Sequence, residues 1–308
     1  VTTPTIQRRR LGNALRRARE EAGRTQDEAA EQIDAASTKI SRLELGQSGI
    51  KITDLNVLLK YYKVDRSLCD GMRDLARAGR QRGRWSGYRN VIPNWFRQYL
   101  DLEQDASELR WYQAEIVPGV LQTEAYIRSM LATARPRATD DEVERQVEVR
   151  LERQSILDNE VLLRFIISES ALRRNIGDPS IMRDQLARIA EVAAQPNVEL
   201  QVLPFDAQTF GAAWINFIML RFDHDASSDV VYVEDLIDAD YLDRPDAVRA
   251  YTGLWNRLQA AAPGPVESRD LILCMADETR IERAHDTGPL RRGVAEKQPQ
   301  RRQRRSMR

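Results

Sequence analysis

The stretch from Thr25 to Gly46, TQDEAAEQIDAASTKISRLELG, leaves the chain little freedom. Thr25 followed by Glu28 is the pattern of a capping box, in which two side chains satisfy the free backbone N–H groups of a helix start. Ala29, Ala30 and Ile33 then fall on one face, and the alanines are small enough for a second helix to cross closely. Asp34 to Ala36 make a turn. Ser37 is placed to cap the next helix, whose buried positions are Ile40 and Leu43, one turn apart. Gly46 suits the left-handed position that closes a helix. Two short helices and a tight turn follow from these residues alone.

The outer face of the second helix carries Ser37, Thr38, Lys39, Ser41 and Arg42, with no acid before Glu44. A helix that enters the major groove needs hydrogen-bonding groups near its N-terminus and no carboxylate turned to the phosphates. The segment therefore reads as a helix-turn-helix. Its surroundings agree. Ile6 to Ala22 is expected as a preceding helix with Leu11, Leu15, Ala18 and Ala22 inward and Arg8, Arg9, Arg10, Arg16, Arg17 and Arg19 around them. These arginines are expected at phosphates. Lys51 to Tyr62 and Val64 to Arg80, the latter through Leu68, Met72 and Leu75, complete a five-helix domain.

The net charge of the 308 residues is zero, but its distribution is uneven. Residues 1–90 carry 19 Lys/Arg against 11 Asp/Glu, residues 91–290 carry 20 against 35, and residues 291–308 carry 8 against 1. Basic ends around an acidic middle suggest nucleic acid for one part of the chain and another partner for the rest.

LRRAREEAGRTQDEAAEQ…STKISRLELGQ resembles the Xre, or phage-repressor, type of helix-turn-helix domain. Arg19, Gly23, Thr25–Gln26 and Ile40 to Gly46 occupy that family's pattern. The resemblance implies that Arg19 pairs with Glu44 and that Gln26 and Lys39 contact phosphate, as Arg10 and Arg16 should. It puts Ser37, Thr38, Ser41 and Arg42 at base edges. One departure is Asp34, where the turn often has Gly. Asp tolerates the left-handed region, so a normal turn is expected.

Residues 81–94 read as a linker with Trp85 and Tyr88 to tie it down, either as an ordered strap or as an arm on the DNA backbone, the strap being favoured. Trp95 to Leu109 is expected as a helix. Asp140 to Leu157 is a long charged helix whose seam, Val143, Val147, Leu151 and Ile156, serves either a dimer or its own domain. Strands are expected at 161–168, 198–203, 214–222 and 230–234, with helices between and after them. The fold class is then α+β overall. The domains are a helix-turn-helix unit at 1–80, the linker at 81–94, an α+β regulatory or partner-binding domain with about four strands at 95–285, and a basic disordered tail at 286–308.

This second half has a resemblance of its own. VPGVLQTEAYIRSML, RLERQSIL, SESALRR, VELQVLP and VVYVE occur in the order found in WhiJ-like actinobacterial regulators. Members are commonly encoded beside a small partner protein, in an arrangement likened to toxin–antitoxin pairs. The resemblance implies a sequence-specific regulator that binds double-stranded DNA as a homodimer, with dimerisation, sensing or a small partner assigned to the C-terminal domain. The alternative is an antitoxin-like protein that mainly sequesters the partner, with DNA binding as autoregulation.

Chemistry is sparse. No glycine-rich phosphate loop or H-E-x-x-H occurs, so neither catalysis nor a cofactor is expected. His224 between Asp223 and Asp225 is better explained as a hairpin loop than as a metal site. Glu234, Asp235, Asp238, Asp240 and Asp243 form an acidic cluster that holds a divalent cation, meets a basic partner or is simply a solvated loop, the last being favoured. Trp214, Phe217 and Tyr232 either line a small-molecule pocket or belong to the core. Cys69 and Cys274 read as isolated buried thiols, which fits a reducing cytoplasm. No apolar run is long enough to span a bilayer.

Overall fold

The computed structural model describes residues 6–80, 88, 92–208, 213–222 and 229–286. Trp85, the Asp223–His224–Asp225 loop and the basic tail beyond Asp286 lie outside them. Helices α1 (Ile6–Glu21), α2 (Gln26–Glu31), α3 (Ser37–Glu44), α4 (Ile52–Tyr61) and α5 (Arg66–Ala78) build the N-terminal body. They enclose one apolar core that includes Leu11, Leu15, Ala29, Ala30, Ile40, Leu43, Leu55 and Leu58. The capping box of Thr25 and Glu28 opens α2. Asp34 takes the left-handed turn at φ 49°. The cap of α3 differs from expectation: Ala36 is the N-cap and has no side-chain acceptor for the free N–H groups, because Ser37 already has helical geometry. In α5 Met72 is buried and Leu75 packs on the core as expected, but Cys69 turns inward in place of Leu68, which is 61% exposed.

Two glycines set how closely these helices pack. A Cβ on Gly12 would stand 2.5 Å from the carbonyl oxygen of Glu44, so α1 and α3 cross backbone to backbone. Gly46 closes α3 at φ 68°, and a Cβ there would meet the backbone of Arg9.

The C-terminal body is an α+β fold around a mixed sheet of six strands, two more than expected. They are β1 (Glu108–Gln113), β2 (Leu162–Ser168), β3 (Val198–Leu203), β4 (Phe217–Arg221), β5 (Val230–Glu234) and β6 (Ala239–Leu242), in the order β3-β2-β1-β4-β5-β6. β1, β2 and β3 run parallel; β4, β5 and β6 alternate in direction. Longer connections join the parallel strands: α7 (Glu124–Ala134) and α8 (Asp140–Arg153), then α9 (Glu169–Arg173) and α10 (Pro179–Val192). β1 is the central strand, preceded by α6 (Asn94–Asp105).

One sheet face, with Leu109, Trp111, Leu163, Phe165, Ile167 and Leu220, packs under α6, α8, α10 and α12 (Pro265–Asp286). The other, with Tyr112, Ile166, Phe217, Met219 and Val231, is covered by Leu254, Trp255 and Leu258 of α11 (Pro245–Ala261). Phe217 and Tyr232 thus lie in cores on opposite faces and Trp214 is exposed, so these three line no common pocket. Val143 and Val147 pack on Ile127 and Leu131 of α7, Ile156 joins the main core, and Leu151 stays partly exposed. The seam of α8 therefore serves its own domain. Cys274 is exposed, because α12 turns Ile272 and Met275 inward instead.

The VPGVLQT segment is held by amide side chains. Gln122 donates to the Val117 carbonyl at 2.8 Å and Gln154 to the Gln122 carbonyl at 2.6 Å. Gln185, fully buried, donates to the Leu121 carbonyl and accepts from the Thr123 N–H. Each buried polar group finds a partner, so this motif is structural.

Candidate nucleic-acid interface

α3 is anchored from below and free above. Ile40 and Leu43 are buried in the helical core, and Glu44, 5% exposed, is clasped by two residues. Arg19 donates from Nε to Glu44 Oε1 at 2.6 Å and from Nη2 to Oε2 at 3.0 Å. Gln26 Nε2 donates to the same Oε2 at 2.8 Å, and Arg19 Nη1 donates to the Arg24 carbonyl. This hydrogen bonding to Glu44 raises the Arg19 pKa, so the guanidinium is held charged. The last turn of α3 is thereby fixed to α1 and to the first turn of α2.

Thr38 and Arg42 are exposed one turn apart, with Ser37 and Ser41 half-buried beside them. Arg42 meets no carboxylate among the described residues. Leu45, 44% exposed, continues the face three residues past Arg42. Leu45 is not among the residues expected at base edges, although 38, 42 and 45 share helical spacing. An apolar side chain there suits a thymine methyl.

The cations expected at phosphates have different settings. Lys39 Nζ is 2.9 Å from Asp54 Oδ2, and this bond holds the Asp54 carboxyl below its ordinary range. Arg16 is exposed and paired with Glu20 at 3.1 Å. Gln26 spends its amide on Glu44. Arg10, expected at a phosphate, is turned to the other body. It lines a crevice of about 720 Å³ together with Asp105, Ser107, Glu108, Glu160, Arg221 and Asp229. Its neighbours behave alike: Arg9 is buried in an ion pair with Asp243, and Arg8 donates to the Gly79 carbonyl beside Asp101. Consecutive arginines at the start of α1 therefore join the two bodies. The acidic cluster divides accordingly, Asp243 taking Arg9 while Asp235 and Asp238 sit on the opposite turn. Among the described residues no group of three or more His, Cys, Asp or Glu is arranged to hold a metal. No described helix is long and apolar enough to cross a membrane.

Residues 10–70 match the family model described as a helix-turn-helix domain, which makes this a helix-turn-helix protein of the kind that binds DNA and regulates. Residues 96–273, more than half the chain, match the model described as domain of unknown function DUF5753. The chain belongs to the DUF5753 family. No enzyme family matches. No curated protein and no solved structure matches the chain.

Proposed function

We propose that the protein is a sequence-specific transcriptional regulator of the Xre, WhiJ-like type, with α3 laid in the major groove. The observation that carries this reading is the mounting of α3: its last turn is clamped through Glu44 while Thr38, Ser41 and Arg42 face outward. Ser37, Thr38, Ser41 and Arg42 read base edges, and Leu45 adds an apolar contact. Arg16 and Lys39 exchange carboxylate partners for phosphates, which gives a steep salt dependence. A homodimer would read a palindrome with half-sites about one helical turn apart.

Fluorescence anisotropy on DNA from upstream of the gene, with random DNA as control, tests this. Arg42→Ala should lower discrimination between the two by about 1–3 kcal/mol. Equal weakening on both DNAs would remove Arg42 from the recognition face.

A second reading concerns the C-terminal domain, which serves dimerisation, sensing or a small protein partner. The last has an observation in its favour: large apolar side chains exposed at one end of the sheet. An antitoxin-like protein that sequesters such a partner, with DNA binding as autoregulation, would co-purify with it as a stable complex.

A further inference from the structure

The two ends of the sheet are unlike. At one, Asp243 follows β6 and holds Arg9 of α1. At the other, β1, β2 and β3 finish, β4 begins and β5 turns into β6. Four of the five most exposed large apolar residues described belong to that second end: Leu236 (95%), Ile237 (79%), Trp214 (75%) and Phe205 (66%). Phe205 follows β3, Trp214 precedes β4, and Leu236 and Ile237 form the apex of the β5–β6 turn. From β3 to β5 the row spans roughly 19 Å at the usual strand spacing. Ile116, beyond β1, adds a fifth side chain.

The apex is held in place. Asp235 Oδ1 accepts the backbone N–H groups of Ile237 and Asp238, both at 2.8 Å, so the turn presents Leu236 and Ile237 in a fixed geometry. Exposing this much apolar surface costs solubility unless something covers it.

Carboxylates predominate around the row. Asp206, Asp235, Asp238 and Asp240 pair with no cation among the described residues. Of the cations nearby, Arg173 and Arg174 are already committed to Glu169, Glu278 and Glu115, and Arg150 is turned to Gln122 and Glu234. We propose that this end of the sheet docks a separate protein through a cationic segment that carries apolar side chains. Leu236, Ile237, Trp214 and Phe205 supply the apolar contact, and the carboxylates orient the incoming Lys or Arg.

A second copy of this chain fits less well, since it brings the same carboxylates face to face. It would also put the two recognition helices at opposite ends of a pair of sheets, roughly 40 Å of strand between them before either helical body is counted. Adjacent half-sites lie about 34 Å apart. The chain's own tail is cationic but spreads only Leu290, Val294 and Met307 over residues 287–308. The inference rests on the reading of the C-terminal domain as partner-binding and is independent of DNA recognition by α3.

The test uses the full chain and a fluorescein-labelled amphipathic helix of leucine and lysine as probe, followed by anisotropy. Leucine–glutamate and serine–lysine peptides of the same length are the controls. The leucine–lysine probe should bind, and both controls should bind at least roughly tenfold more weakly, about 1.4 kcal/mol. Leu236→Asp with Ile237→Asp, and separately Trp214→Ser, should each weaken the probe by a similar factor. Val266→Asp, exposed at the start of α12, should leave it unchanged. Affinity for upstream DNA should persist in all these variants, which separates loss of docking from loss of fold or of DNA recognition.

Probe binding that survives both the 236/237 and the 214 changes overturns the proposal. So does equal binding of either control peptide. A concentration-dependent dimer abolished by Ile237→Asp would assign the surface to a second copy instead. A tenfold gain in probe affinity on removing residues 289–308 would assign it to the tail.

Discussion

Among the described residues, each body of the molecule holds a buried arginine–carboxylate clasp, and the two are built differently. In the helical body Arg19 and Glu44 are joined by two hydrogen bonds, with Gln26 as third member. In the α+β body Arg153 of α8 donates to both oxygens of Glu103 of α6, at 2.8 and 2.7 Å, and to the Tyr99 hydroxyl oxygen at 3.0 Å. Its guanidinium also lies 5.2, 5.0 and 5.1 Å from the ring centres of Phe96, Tyr99 and Trp111. Burial works against this charge, and Glu103 with Tyr99 outweighs it, so Arg153 stays protonated. The first clasp fixes the end of a helix whose other face is free. The second lies in the core, where no group can recover water. The same pair of residue types serves placement in one body and cohesion in the other.

The largest expected effect is therefore at Arg153. Arg153→Met leaves Glu103 buried without its cation and should cost about 3–5 kcal/mol in urea unfolding. Adding Glu103→Gln should recover part of the loss. Arg19→Met should cost less, about 2–3 kcal/mol, because Gln26 still donates to Glu44. It should also weaken operator binding, since the end of α3 loosens. A larger loss at Arg19 than at Arg153 would reverse the comparison.

The contact between the bodies titrates. Burial, with the like charge of Asp105, pushes the Asp101 carboxyl up to about 6 against the pull of Arg8 and Arg97. The folded state then holds a proton that the unfolded chain, near 3.9, has released. Stability should fall as pH rises from about 4 to 6, by on the order of 2 kcal/mol, and be flat above. Asp101→Asn should remove this slope. A slope unchanged in the variant would point to other groups, Asp105 and Asp229 first, whose carboxyls burial also raises.

The smallest effect is expected at Arg128, which makes two hydrogen bonds to Glu144, at 2.9 and 3.0 Å, and one to Glu124. Its geometry rivals that of Arg153, but water surrounds it. Arg128→Ala should leave the melting temperature within experimental scatter, so that burial, and not bond count, separates the clasps.

The clasps also mark how far the sequence could be read. Arg19 and Glu44 belong to one local pattern of helix caps, small residues and a turn, so their pairing followed from resemblance to that pattern. Arg153 and Glu103 are 50 residues apart and meet only because β1 places α6 beside α8. Only the start of β1, Glu108 and Leu109, fell within the expected helix, since Glu108 and Arg110 interrupt its apolar face and turn instead to an ionic row with Arg164 and Arg221; the stretch after it reads as extended. β6 is four residues long, with one acid and no fully buried side chain, too short for an alternating signal. The charge of α1 was visible, but not its destination: nothing local distinguishes Arg9, buried against Asp243, from Arg16 in water.

β6 has a mechanical meaning beyond its place at the edge. One end of it is the Leu236–Ile237 apex; the other passes through Leu242 to Asp243, which grips Arg9 of α1. Midway, the Tyr241 hydroxyl donates to the Trp95 carbonyl at 2.5 Å and ties the strand to α6. A single edge strand, roughly 13 Å long, thus links the far turn to the base of the helical body, and the helix it meets there, α1, is the one against which α3 is seated.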